Sequence, residues 1–169
     1  IIGTKSWPAR GPQEPKAEGV IRGPSDGFVE TLRFNTALVR RRIRDPRFKI
    51  KQLQVGVRSK TDIAVMYIED IVNENLLKRV FERLDDIEID GVLESGYIEQ
   101  LIEDNIFSPF PQIQATERPD AAAGAILEGR VVIIVDNSPF ALIIPTTLSS
   151  LFMSPEDYYQ RWMVSTFVR

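Results

Sequence analysis

The chain has 169 residues, 43% of them hydrophobic and 27% charged, with a formal net charge of −3, enough to bury roughly 70% of its unfolded surface without covalent staples. It contains no Cys and no His, which excludes disulfide frameworks, thiolate nucleophiles, Ser-His-Asp triads, and Cys- or imidazole-based metal sites. With a pI near 5.1 the bulk charge argues against nucleic acid as a partner.

No signal-type segment and no run of about 18 apolar residues occurs, and the first residue, Ile1, is not Met, so the chain is expected to be a soluble piece of a longer protein. Residues 1–26 combine Pro8, Pro12, Pro15 and Pro24 with four glycines and no apolar period, which predicts a flexible N-terminal segment. Phe28, Leu32, Val39 and Ile43 then form a helical stripe, with Ser25 or Asp26 as cap, Glu30 in the first turn and Asp45-Pro46 as the stop. Leu53, Val55 and Val57 alternate with polar residues in a half-buried strand. The run Ile63 to Ile68, apolar on both faces, reads as a central strand.

A helical face follows in Leu76, Leu77, Val80, Phe81 and Leu84, opening near Asn73, and Ile87 and Ile89 alternate with acids as a short strand. A second unit is expected after Gly91. It comprises a short helix marked by Tyr97, Ile98, Leu101 and Ile102, a rigid crossing at Pro109, Phe110 and Pro111, and a helix opened by Pro119 and stopped by Gly129. Two β-rich runs, 130–136 and 140–144, flank Asn137-Ser138-Pro139. Pro139 and Pro145 point to an edge position for the second run, or to a strand whose ends are free. The last element, capped by Ser154-Pro155-Glu156-Asp157, is an aromatic amphipathic helix with Tyr158, Tyr159, Trp162 and Met163.

The reading is thus an α/β (α+β-like mixed-sheet) fold of two small abutting subdomains, 27–91 and 92–147. They lie between a flexible segment at 1–26 and a membrane-proximal helix at 148–169.

Two charge blocks stand out. Arg40, Arg41, Arg42, Arg44, Arg47, Lys49 and Lys51 against Asp45 carry +6, while nine acids and Arg83 within 82–104 carry −8. The basic block suits either a helix C-terminus or a docking surface for lipid headgroups or an acidic partner; one neighbouring aromatic, Phe48, is too little for nucleic acid. The acids lack the spacing of a calcium loop and read as a solvated face. Gly124 and Gly129 have phosphate-loop spacing, but Arg130-Val131 replaces the Lys and Ser or Thr that chemistry needs. No catalytic, cofactor-binding or metal-ligating residue is assigned. The candidate interaction surface comprises Arg40, Arg41, Arg42, Arg44, Pro109, Phe110, Pro111 and Trp162.

Taken together, residues 18–30 (EGVIRGPSDGFVE), 35–46 (NTALVRRRIRDP), 93–104 (LESGYIEQLIED), 107–120 (FSPFPQIQATERPD), 127–136 (LEGRVVIIVD) and 156–159 (EDYY) resemble the A subunits of bacterial spore germinant receptors. The resemblance covers about residues 18–169, in the family's order; Asn137 stands where the family often has Gly in an Asp-Gly-Ser-Pro turn. It implies the soluble, non-enzymatic N-terminal domain of a membrane subunit, on the core side of the spore inner membrane, acting in receptor assembly and nutrient-signal coupling. The implied partners are a transporter-like B subunit and a lipoprotein C subunit, with further A subunits compatible, no nucleic acid and no cofactor. The membrane would be reached through a region beyond Arg169. A second expectation, from the two-unit organisation, is a small nutrient-binding cleft between the subdomains.

Overall fold

Strand β2 (Thr61–Ile68) alternates strictly in burial partners: Ala64, Met66 and Ile68 face one apolar cluster, and Ile63, Val65 and Tyr67 the other. A strand apolar on both faces must lie inside a sheet covered on both sides. In the computed structural model, which describes residues 26–102 and 113–146, it does. Strands β1 (Phe48–Val55), β2, β3 (Gln114–Thr116), β4 (Val131–Val135) and β5 (Ala141–Ile144) form one sheet in the order β1-β2-β4-β5-β3. Every pairing is antiparallel.

Helices α1 (Leu32–Arg42) and α4 (Pro119–Leu127) cover one face, with Leu38, Val39, Ala122 and Ile126 packed on Met66, Val132 and Ile134. Helices α2 (Glu74–Asp85) and α3 (Ser95–Ile102) cover the other, with Val80, Leu84 and Ile98 on Val65, Ile133 and Leu142. The α/β class read from the sequence holds. The expected C-terminal helix at 148–169 and the segment 1–25 lie outside the described residues.

Strands from both sides of Gly91 share this sheet, because β2 pairs with β4 from Ile63↔Val135 to Met66↔Val132. The seam where a cleft was expected is therefore a β ladder filled by Val65 and Ile133, both with no exposure. The linker at Gly91 is stitched to the β1–β2 turn. Val57 N–H donates to the Ile89 carbonyl at 2.9 Å and Arg58 N–H to that of Asp90 at 2.9 Å. The Thr61 hydroxyl donates to the Val92 carbonyl at 2.6 Å.

Several local expectations need correction. Helix α1 begins at Leu32, not Phe28, and neither Asp26 nor Glu30 lies in it. Thr31 holds the N-cap position without a side-chain cap bond, and the Leu32 N–H is met instead by Asp136 Oδ1 at 2.9 Å. Residues 28–30 stay out of the helix because their backbone groups find partners elsewhere. Phe28 N–H donates to the Glu117 carbonyl at 2.8 Å, and the Glu30 carbonyl accepts from Asn137 N–H at 2.7 Å.

Strand β1 starts earlier than expected and stops at Val55, where Gly56 turns with φ +87° and leaves Val57 exposed. Ile87 and Ile89 are not in a strand; they are half-buried under the α2–α3 face. Strand β5 is interior, covered by β3, so of the two readings of its flanking prolines the free-ended strand is the correct one. Caps at Asn73, whose Oδ1 accepts from the N–H groups of Asn75 and Leu76, and at Gly129, with φ +83°, stand where expected.

Candidate interaction surfaces

The arginines of the basic block part company once α1 is folded. Arg42, only 19% exposed, turns inward: Nη2 reaches both carboxylate oxygens of Asp26 at 2.7 Å and Nη1 donates to the Leu38 carbonyl at 2.9 Å. Partial burial pushes the Asp26 carboxyl up, but the Arg42 hydrogen bonds and charge, with Asp26's own backbone N–H and Arg41, outweigh it and hold the pKa below 3.8. Arg42 is thus a structural clamp that ties the segment 26–31 to the last turn of α1.

Arg33, Arg40, Arg41 and Arg44 point to solvent. Arg41 reaches Asp26 Oδ2 at 3.0 Å while remaining 65% exposed, a contact worth little in water. Arg40 lies 5.9 Å over the Phe48 ring. Arg33, Arg40 and Arg44 form no ion pair among the described residues. Residues seven apart return to one face of a helix, so Arg33 and Arg40 form one row and Phe34 and Arg41 another, each spanning about 10 Å. Phe34 is 44% exposed.

The rest of the basic block lies on β1 and before it. Arg47 binds Asp45 and Asp70, and its hydrogen bond lowers the Asp45 pKa to about 2. Lys49 pairs with Glu69 at 3.4 Å, and Lys51 Nζ sits 4.8 Å from the Phe81 ring, on the α2 side of the sheet. As the outer strand, β1 presents Lys51, Gln52 and Gln54, polar side chains that discourage edge-to-edge pairing.

The acidic block sits across the sheet from α1. Asp85, Asp86, Glu88 and Asp90 are exposed at the end of α2 and beyond it. The α1 arginines and these four acids therefore lie on opposite sides of the sheet; Arg58 to Asp90, at 3.4 Å and about four-fifths exposed on both sides, is a peripheral contact. On this same side Ile98 and Ile102 of α3 point inward, while Leu93, Tyr97 and Leu101 form an exposed row at 68%, 41% and 37%. Spacing had marked α3 correctly without separating its two faces.

Two buried polar pairs carry no mark in the sequence reading. Asn35, with no exposure, accepts from Val29 N–H at 2.8 Å and donates to the Val29 carbonyl at 2.5 Å. The Ser138 hydroxyl donates to Ser95 Oγ at 2.9 Å, both residues being buried. The signal for Asn35 was available: it occupies a stripe position between Leu32 and Val39, where a polar residue must be satisfied internally. Of the predicted surface residues, Arg40 and Arg41 are on the exposed face of α1, Arg44 is exposed just past its end, and Arg42 turns inward. Pro109, Phe110, Pro111 and Trp162 lie outside the described residues.

The described residues thus form a three-layer α/β domain, with exposed arginines over one face of the sheet and exposed acids over the other. The chain belongs to the GerA family of Bacillus/Clostridium spore germination proteins, whose model matches residues 1–169. It is 52% identical over 166 residues to spore germination protein B1 of Bacillus subtilis (98% of this chain, 34% of the relative). It is 47% identical over 169 residues to spore germination protein KA of the same organism (100% and 31%). The chain thus spans about a third of the length of these curated relatives. Among solved structures it resembles the N-terminal domain of the A subunit of the Bacillus megaterium spore germinant receptor GerK3, at 48% identity and TM-score 0.58, over 72% of this chain and 97% of that one.

Proposed function

We propose that this chain is the N-terminal domain of a spore germinant receptor A subunit and acts, without catalysis of its own, in receptor assembly and in coupling the nutrient signal to germination. Its parent lies in the spore inner membrane with this domain on the core side, and its partners are the transporter-like B subunit and the lipoprotein C subunit. The observation that carries the reading is the division of labour between the two faces of one sheet. A basic helix row covers one side, an acidic surface with an apolar row the other, and a fully buried ladder of β2, β4 and β5 joins them. A layer this densely packed moves as a unit, so a partner bound on one face is mechanically linked to a partner on the other. Exposed apolar rows rimmed by charge are common at protein contacts.

The test is charge reversal on the outward row alone in the full-length subunit. Arg33→Glu with Arg40→Glu should reduce receptor level or slow nutrient-triggered germination; normal receptor level with normal germination contradicts the reading. Arg42 is left intact because its loss would unclamp Asp26 and confuse folding with contact.

A further inference from the structure

We propose that the outward face of α1, formed by Arg33, Phe34, Arg40 and Arg41, with the exposed Arg44 just past its end, is a docking surface for an anionic phospholipid bilayer. Residues 26–44 hold five arginines against Asp26 and Glu30. Asp26 and Arg42 are committed to each other, so the charge that reaches solvent is the unpaired row and Arg41. Ion pairing within the fold would have quenched these cations, as Asp45, Asp70 and Glu69 do for Arg47 and Lys49. On α1 it does not.

The geometry suits a bilayer better than a folded acidic partner. The row lies on the exposed side of a surface helix, with Arg33 and Arg40 about 10 Å apart along it. A protein surface meeting it would need fixed carboxylates at matching positions, whereas lipid headgroups diffuse laterally to each guanidinium. An exposed aromatic beside arginines is the side-chain pairing found at headgroup level, and Phe34 sits in the stripe next to Arg33 and Arg40. Each arginine near an anionic leaflet strengthens binding by roughly fivefold, so the face gives weak attachment by itself. It becomes effective when the domain is already held near a membrane, as the proposed parent subunit would hold it. That last step alone rests on the receptor-subunit reading; the lipid affinity does not.

The experiment is co-sedimentation of the 169-residue chain with vesicles of phosphatidylglycerol and phosphatidylcholine, against vesicles of phosphatidylcholine only. Two double variants serve as a matched pair: Arg33→Glu/Arg40→Glu on α1, and Lys49→Glu/Lys51→Glu on the other side of the sheet. Each takes the formal net charge from −3 to −7. Binding to the anionic vesicles only, lost at about 1 M salt where screening length falls to roughly 3 Å, is expected for the native chain. The α1 variant should lose at least tenfold and the β1 variant less than threefold, with circular dichroism confirming that both are folded. Equal losses in the two variants, or no binding of the native chain to the anionic vesicles, overturns the proposal. If the α1 variant also blocks germination while the native chain ignores vesicles, the face contacts a protein, and only the lipid assignment fails.

Discussion

Asn35 serves Val29 as a neighbouring β-strand would: its side-chain amide satisfies both the N–H and the carbonyl of that one residue, at 2.8 and 2.5 Å, with no exposure to solvent. This side chain, together with the bonds from Phe28 to Glu117 and from Asn137 to Glu30, keeps the segment before α1 out of the helix inside the fold. Replacing it with Leu keeps the volume but strands two buried backbone groups. Each such group costs about 1–3 kcal/mol, so Asn35→Leu should destabilise by at least about 2 kcal/mol in denaturant unfolding. Asn35→Asp should be no better, because it keeps the acceptor, loses the donor and buries a charge.

The Asp26–Arg42 clamp makes a pH signature. The folded-state pKa of Asp26 lies below 3.8, with burial opposing and Arg42 prevailing. A depressed carboxyl stabilises the fold above its unfolded pKa, and that contribution is lost as pH falls through the folded value. Asp26→Asn should therefore be less stable than the native chain at pH 7, by about 1 kcal/mol after allowing for the partial exposure of both partners. The difference should shrink below about pH 3.8 and vanish at lower pH. Thermal melts across that range would measure it.

Gly129 carries φ +83°, and a Cβ there would come within 2.6 Å of the Ile71 carbonyl oxygen. Gly129→Ala combines left-handed strain with a backbone clash, and an expected loss of about 2 kcal/mol or more follows. Gly96, in α3, meets only the flexible Glu94 carboxylate at 3.4 Å, so Gly96→Ala should be neutral or stabilise by up to about 0.5 kcal/mol. Asn137 has φ +66° and only its backbone N–H is used, toward Glu30. Asn137→Gly, the residue the resembling family often places there, should stay within about 0.5 kcal/mol of the native chain. Comparative melts of the three variants test the assignments together.

The parts of the fold that sequence made legible are those where period and burial coincide. The double-sided apolar runs of β2 and β4, the amphipathic stripe of α2, its start at Asn73 and the stop of α4 at Gly129 required only local chemistry. The start of α1 was misread because Phe28 and Leu32 are four apart and both buried, whether the intervening chain is helical or extended. The deciding bonds come from Glu117, Asp136 and Asn137, about a hundred residues away. β3, three residues long, is too short to show a period. Ile87 and Ile89 alternate like a strand, yet the Ile87 N–H turns back to the Leu84 carbonyl, and the carbonyls of Ile89 and Asp90 accept from the turn at 57–59 rather than from a strand. The basic block was legible as charge. That Arg42 faces inward and Arg33 belongs to the outward row needed the helix start and the place of Asp26.

The α1 arginines and the acids at the end of α2 lie on opposite sides of one sheet and so serve different partners in the proposed receptor. The most direct test is a reversal cycle in the full-length subunit: Arg33→Glu/Arg40→Glu, Asp85→Lys/Asp86→Lys, and all four together, with receptor level and nutrient-triggered germination measured for each. Each pair should impair germination, and the quadruple variant should be at least as impaired as the worse pair. Rescue of germination in the quadruple variant would mean that the two charged faces bind each other, and would contradict their assignment to different partners.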